Sequence, residues 1–351
     1  MKEETIMVGK KIFSGLLLLT IIVGFLTAPT YAGDPARIGQ AAGVQVQVPV
    51  SARDLAMGGA NIALTSGLNA LYWNPAGLPR MDNAGAGQFS RMTIFNDIGV
   101  NYVAVAFKSE GLGAVGLSIK SFDFGNIPYT TNQDMDASSG RTYSPTFVTI
   151  GLTYARNLTE AVNVGVTAKI INETIPRASA TAMAFDIGLQ YDRLGGIEGV
   201  SFGVAIKNIG TNMEYTGSGL GSTVSTGIGR DEVLDRSAAS NQLPASIELG
   251  AAYKAFVMEN SNLTVSGVFQ SNNFQNDAIR GGLEYSYDNF LFARAGYNFV
   301  EGTESEDQLY DFTLGAGIRY AVGDVDLTLD YAFQNAQYFD ATNVFTLSIG
   351  F

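Results

Sequence analysis

The chain has 351 residues, a net charge of −12, 15% charged residues and 41 glycines, and it contains neither cysteine nor histidine. The absence of cysteine excludes a disulfide framework, thiol chemistry and a lipid-anchoring cysteine. The absence of histidine excludes an imidazole base and a His-ligated metal. We therefore predict a protein that is not an enzyme and that uses neither a metal nor a cofactor.

Residues 1–32 have the pattern of a secretory signal peptide. Lys10 and Lys11 precede an apolar run over 12–28, and small residues ending at Ala32 follow it. An uncleaved anchor is the alternative, but the run is short and Pro29 interrupts it. Cleavage is predicted near Ala32. No later stretch is apolar enough to cross a bilayer as a helix, so the mature chain could cross one only as strands.

Residues 33–83 form an N-terminal extension that contains the stretch 51–78, SARDLAMGGANIALTSGLNALYWNPAGL. This stretch is rich in Gly and Ala and holds Trp73, the only tryptophan. Asn74 can accept hydrogen bonds from the free N–H groups of a following turn, where Pro75 fits the first position. A capped turn beside a strand is the simplest interpretation of Asn-Pro alone.

The whole stretch, however, resembles the N-terminal signature of the PorV/PorQ-like proteins of the FadL-type outer-membrane barrel superfamily. This resemblance implies that the segment is a hatch folded into the lumen of a barrel. The residues that carry the resemblance are Ala52, Arg53, Ala56, Met57, Gly58, Gly59, Ala60 and Ala63, followed by Ala70, Leu71, Tyr72, Trp73, Asn74, Pro75, Ala76, Gly77 and Leu78.

From residue 84 to the end, apolar and polar residues alternate with the period of a strand. Most of the segments have the length that a tilted transmembrane strand needs. They lie at 84–95, 98–108, 113–122, 146–156, 161–172, 181–192, 199–209, 243–254, 262–271, 278–287, 289–299, 309–320, 323–334 and 342–351. A soluble β-sandwich would also alternate, but here short and long connections alternate as well, which is typical of outer-membrane barrels. We predict an all-β fold, a transmembrane antiparallel barrel of about fourteen strands over 84–351, with both termini periplasmic.

The faces predicted to point inward carry charges of both signs. They are interpreted as a polar lattice that fills the lumen and anchors the hatch through Arg53 and Asp54; a polar path is the alternative. The lattice residues are Lys169, Asp186, Lys207, Glu248, Arg280, Glu284, Arg294, Arg319, Asp326 and Asp330, and Lys120 and Lys254 are also predicted to face inward. Asp326 and Asp330 lack the ligand spacing of a calcium loop.

The last strand ends in an apolar, aromatic pattern. Phe345, Leu347, Ile349 and the final residue Phe351 are predicted to face one way, as in the signal that outer-membrane assembly machinery reads. We predict a Gram-negative-type outer-membrane location, with membrane lipids and the assembly machinery as partners and no nucleic acid.

Two functions follow from the resemblance. A PorV/PorQ-like protein would be a component or cargo-binding shuttle of type IX protein secretion, bound to its machinery or to cargo C-terminal domains. A FadL-like protein would admit hydrophobic small molecules past a movable hatch. The signature favours the first function, and the polar composition of loop 210–242 disfavours an apolar capture site.

Overall fold

The computed structural model describes residues 35–226, 230–235, 237–258, 260–304 and 307–351. The predicted signal peptide lies outside these residues. Within the described part of the chain, no helix is long and apolar enough to cross a membrane.

The described residues form eighteen strands, of which fourteen close into one antiparallel barrel. The strands are β1 (Gly85–Ile94), β2 (Ile98–Ser109), β3 (Gly113–Asp123), β4 (Ile127–Pro128), β5 (Thr142–Tyr143), β6 (Thr146–Asn157), β7 (Val162–Ile175), β8 (Ala178–Asp192), β9 (Val200–Gly210), β10 (Gly221–Thr226), β11 (Arg230–Asp235), β12 (Ser246–Met258), β13 (Ser261–Asn272), β14 (Ala278–Tyr287), β15 (Leu291–Val300), β16 (Phe312–Val322), β17 (Val325–Gln334) and β18 (Thr342–Gly350). Each barrel strand pairs with the next along the chain, and β18 returns to β1. The predicted fourteen-stranded barrel is confirmed, and every predicted strand overlaps one barrel strand.

The helices are short. They are α1 (Ala52–Ala56), α2 (Ala70–Trp73) and the 3-10 turns Pro35–Arg37, Val44–Gln47, Gly67–Asn69, Pro75–Arg80, Phe95–Asp97 and Leu194–Gly196. All of them except the last two precede β1. Valine and glutamine alternate over residues 44–47, but these residues form a 3-10 turn and not a strand.

The two faces of the barrel wall differ in chemistry. On β17, Leu329 faces outward and is 53% exposed, whereas its neighbour Asp330 faces inward and is 4% exposed. Large apolar side chains recur on the outside of the other barrel strands, as at Phe107, Leu152 and Phe345. An apolar surface of this extent suits contact with hydrocarbon rather than with water.

The two ends of the barrel differ in their connections. The short-turn end has tight links such as 110–112 and 288–290, and the long-loop end has 124–145, 211–245 and 301–311. Two hairpins that the sequence did not predict, β4–β5 and β10–β11, lie in the long loops. The connection between the predicted strands 161–172 and 181–192 is a two-residue turn rather than a loop over 173–180, because β7 and β8 extend past the predicted strand ends.

Residues 36–84, called here the luminal segment, contact strands on opposite sides of the ring. The backbone N–H of Ala52 donates to Thr346 Oγ1 on β18 at 2.9 Å. Across the barrel, Gln190 Nε2 on β8 donates to the carbonyl of Thr65 at 2.9 Å. The luminal segment therefore lies inside the barrel.

The luminal segment runs from the long-loop end to the short-turn end. Arg37 donates to Gln242 Oε1 in a long loop at 2.6 Å. At the other end, Lys108 Nζ donates to the carbonyl of Met81 at 2.6 Å. The prediction that both termini lie on the periplasmic side is therefore wrong, because residues 36 and 351 lie at opposite ends of the barrel.

Candidate functional site

The Asn-Pro-Ala turn of the luminal segment lies against two wall strands that have glycine at the contact. A Cβ at Gly188 on β8 would overlap Asn74 Oδ1, and one at Gly165 on β7 would overlap the backbone of Pro75. The turn therefore approaches the wall at backbone distance, which only glycine allows.

The other side of the luminal segment is seated in the same way. Gly282, Gly296 and Gly315, on β14, β15 and β16, would each clash with residues 56–58 if they carried a Cβ. Gly203 on β9 would meet Ala63 Cα at 2.7 Å. We call these four wall residues, together with Gly165 and Gly188, the docking glycines. They explain part of the high glycine content as space for a second layer of backbone.

Asn74 is fully buried and uses both ends of its amide. Its Oδ1 accepts from the N–H of Ala76 at 3.2 Å, which caps the turn Pro75–Arg80. Its Nδ2 donates to the carbonyl of Ile62 at 2.9 Å and lies 3.2 Å from the carbonyl of Leu189 on β8. Asn74 thereby links the turn, the rest of the luminal segment and the wall.

Trp73 is held within the luminal segment by Val50 and Gly59. The indole N–H of Trp73 donates to the carbonyl of Val50 at 3.1 Å. A Cβ at Gly59 would meet the indole ring at 2.6 Å, and Gly58 and Gly59 both have positive φ. Met57, Ala76 and Gly77 are also buried.

Asp54 does not anchor the segment to the wall, so this part of the lattice prediction is wrong. Its carboxylate accepts from Asn61 Nδ2 and Thr65 Oγ1, each at 2.7 Å, inside the luminal segment. Arg53 does reach the wall, with Nε 3.3 Å from Glu284 Oε2.

Towards the short-turn end, the predicted lattice residues form ion pairs. Arg294 contacts Glu284 and Asp330, each at 2.7 Å. Arg319 contacts Asp326 at 2.8 Å and Asp82 of the luminal segment at 2.9 Å. The charges here neutralise one another.

A second polar group lies nearer the long loops. Lys169 pairs with Asp186 at 2.7 Å, and Lys207 pairs with Glu248 at 3.2 Å. Arg280 belongs to this group but donates to Gln270, and it forms no ion pair with any residue that the structure describes. Lys254 lies apart, exposed near the short-turn end.

A β-bulge adds a residue to this second group that alternation could not reveal. Between Phe185 and Ile187 the β8–β9 register shifts, so that Lys207 and Asn208 both oppose Asp186. Asp186 Oδ1 accepts the N–H of Asn208 at 2.7 Å, and Asn208 has a positive φ. The bulge turns both side chains into the barrel.

The second polar group forms one wall of a cavity of about 600 Å³. The cavity is bounded by the luminal segment on one side and by the long loops on the other. Its apolar lining includes Leu55, Leu71, Trp73, Met92 and Ile94. A separate space of about 470 Å³, lined mainly by polar residues, lies at the short-turn end. The luminal segment separates the two spaces.

The predicted assembly residues lie on the outer face of β18 and at its end. Phe345, Leu347, Ile349 and Phe351 are all exposed there. Their recognition by assembly machinery stays a prediction.

Comparison with known proteins gives the following similarities. The model of an uncharacterised protein family, UPF0164, matches residues 197–351, which contain β9 to β18 but not the luminal segment. No curated protein matches the sequence.

Several solved structures resemble the chain over most of its length. The P. putida toluene transporter TodX has a TM-score of 0.53 and 12% identity, covering 86% of this chain and 97% of that one. The monoaromatic hydrocarbon channel CymD has a TM-score of 0.52 and 13% identity, covering 86% of this chain and 97% of that one. A Pseudomonas aeruginosa FadL homologue has a TM-score of 0.50 and 12% identity, covering 86% of this chain and 98% of that one. The chain has the barrel fold of these proteins.

Proposed function

We propose that the protein is a non-enzymatic outer-membrane channel that admits hydrophobic small molecules from its long-loop end. The observation that carries this proposal is the cavity of about 600 Å³, whose apolar lining comes largely from the luminal segment and from β1. Small-molecule sites are usually concave and mainly apolar, with a few placed polar groups.

The arrangement around the cavity supports the same role. The luminal segment lies between the cavity and the polar space at the short-turn end, so a molecule that enters from the long loops meets apolar side chains before any aqueous path. The outward apolar band supports an outer-membrane location, with membrane lipids as neighbours and the barrel assembly machinery as a partner. The similarity to a monoaromatic hydrocarbon channel and to a toluene transporter supports it further.

Type IX secretion, which the N-terminal signature favoured, receives no support from the comparisons reported above. A cavity of about 600 Å³ also suits a small molecule better than a folded cargo domain. We therefore propose uptake of small molecules as the function. Cargo binding is the alternative, and it would be favoured if the folded protein bound no hydrophobic small molecule.

Trp73 provides the test, because it is the only tryptophan and lines the cavity. Toluene and 4-butyltoluene, added to the purified folded protein, should change Trp73 fluorescence saturably. The substitution Met92→Gln should weaken this response, because it places an amide in the apolar lining. Met81→Gln is the matched control, since Met81 is also buried but lines the other space. A folded wild-type protein with no saturable response would refute uptake as proposed.

A further inference from the structure

Arg91 on β1 faces outward, away from the lumen. Its neighbours Ser90 and Met92 point into the barrel and are each 3% exposed, whereas Arg91 between them is exposed. In the strand register it lies opposite Asn101 on β2 and Phe345 on β18. Within the part of the chain that the structure describes, its guanidinium has no ion pair. The outer wall thus carries an unneutralised cation at this position.

Arg91 lies where the outward apolar surface of its strand ends. On the short-turn side of this position, the outward residues of β1, β2 and β18 are apolar and exposed, as at Phe89, Val103 and Leu347. On the long-loop side, polar residues replace them on five neighbouring strands. We call these residues the outer polar row; they are Ser121, Asn101, Arg91, Asn343 and Tyr331, whose hydroxyl donates to Asn343 Oδ1 at 2.6 Å.

Exposed aromatic rings lie on the long-loop side of the outer polar row. Phe95, in the turn that follows β1, packs against Phe339 of the β17–β18 connection, with ring centroids 5.2 Å apart. Aromatic side chains gather at the level of the lipid headgroups in membrane proteins. The outer polar row therefore lies between an apolar band and a pair of interfacial rings. This is the zone in which the phosphate of a lipid meets its acyl chains.

An arginine suits a lipid phosphate in this zone. Its apolar stem can lie along the hydrocarbon-facing wall while the charged end reaches the headgroups. The planar guanidinium presents paired N–H donors that match two oxygens of a phosphate. The amide of Asn101, on the adjacent strand, offers a further donor beside it.

We propose that the outer polar row binds the phosphate group of a lipid in the leaflet at the long-loop end, with Arg91 and Asn101 as donors to the phosphate. The acyl chains would lie along the apolar band that begins at Phe89 and Val103. Asp123, exposed at the end of β3, disfavours a phosphate on that side, so the headgroup would lie towards β18. The site is on the outside of the barrel, so this inference does not depend on the proposed function.

A second outward arginine provides the matched control. Arg156 on β6 is also exposed on the outer face, but it lies at the short-turn end. Its register partner on β7 is Val164, so no polar side chain on that strand lies beside it. Arg156 therefore has the charge of Arg91 without the outer polar row.

The test measures how much lipid A, a phosphorylated glycolipid of outer leaflets, stays bound to the purified folded protein in detergent, by native mass spectrometry. Wild type should retain lipid A several-fold better than the same lipid without its phosphates. Arg91→Gln should lose this preference, Asn101→Val should lose part of it, and Arg156→Gln should keep it. All three variants change side chains on the outer face of the wall, and heat-modifiability checks that each is folded.

Each outcome bears on the proposal. Equal retention of the two lipids by wild type overturns it, and that comparison needs no variant to fold. An equal loss in Arg156→Gln and Arg91→Gln also overturns it, because any exposed arginine would then suffice. Excess inorganic phosphate should leave lipid A bound, and displacement would overturn the lipid as the source of the phosphate. The response of Trp73 to toluene tests the proposed function separately.

Discussion

Gly85 and Phe351 exchange two backbone hydrogen bonds, of 2.8 and 2.9 Å, at the seam where β1 meets the end of β18. The ring of Phe351 covers Gly85 so closely that a Cβ there would lie 2.5 Å from Cε2. Phe107 flanks the same ring, with centroids 6.5 Å apart. The last residue of the chain is therefore part of the barrel closure.

This seam predicts that both residues are needed for assembly. Deleting Phe351 removes both hydrogen bonds, and Gly85→Ala displaces the ring, so each should lower the amount of heat-modifiable protein in the outer membrane. Gly87→Ala is the matched control, because its Cβ would make only an ordinary 3.5 Å contact with Ile349. Normal amounts of folded Phe351-deleted protein would contradict a role in assembly.

The docking glycines predict a position-specific cost of adding one methyl group. Gly188→Ala should destabilise the protein by about 1–3 kcal/mol, because it forces Asn74 away from the wall. Gly281→Ala, on β14, has open space at its Cβ and serves as the control. Thermal unfolding followed by the β-sheet signal measures both, and equal melting temperatures would disprove close docking at Gly188.

The Asn-Pro-Ala turn is predicted to hold the luminal segment in place. Asn74→Ala with Pro75→Ala leaves buried N–H and carbonyl groups without partners, at about 1–3 kcal/mol each. The double variant should conduct more, or more often, than wild type in planar bilayers while its heat-modifiability stays the same. Wild-type conductance in the folded variant would mean that this turn does not keep the lumen closed.

Arg294 is predicted to be the most costly of the lattice residues to remove. Arg294→Met leaves the buried carboxylates of Glu284 and Asp330 facing each other, which should cost about 3–5 kcal/mol. Arg193→Met, whose exposed partner Glu160 lies 3.6 Å away, should cost about 0–1 kcal/mol. Denaturant titration of both variants distinguishes them, and similar midpoints would refute the structural role of the cluster.

Cysteine labelling on intact cells tests the orientation. Ser218→Cys, in a long loop, should react from outside, and Ser109→Cys, at the short-turn end, should not. Ile38→Cys should also react from outside, because the luminal segment begins at the long-loop end and Ile38 is exposed there. Reaction of Ser109→Cys alone would reverse the orientation.

The strands could be predicted because alternation with period two depends only on which face each side chain takes. Tertiary contacts decided what the sequence could not show. At the bulge, the N–H of Asn208 donates to the side chain of Asp186. The alternation of apolar and polar residues carries no sign of this contact, so the bulge could not be predicted. Asp54 lies next to Arg53 in sequence, yet a helical turn directs it to Asn61 and Thr65 instead of the wall.

The candidate site was predictable in part. The order of residues along the chain identified the Asn-Pro-Ala turn. The lattice charges could be identified because they occupy positions predicted to face inward. The role of Tyr72 could not be predicted from the sequence, because its ring lies near two lysines, Lys120 of β3 and Lys207 of β9, that only the closed barrel brings together.

At the docking glycines, the backbone of the luminal segment lies in direct van der Waals contact with the backbone of the wall. A larger residue at Gly165, Gly188 or Gly296 needs a smaller or displaced partner in the segment, and the reverse holds equally. The segment therefore cannot be exchanged for that of another barrel by itself. A functional chimera would have to carry the glycines of the wall along with the segment that lies on them.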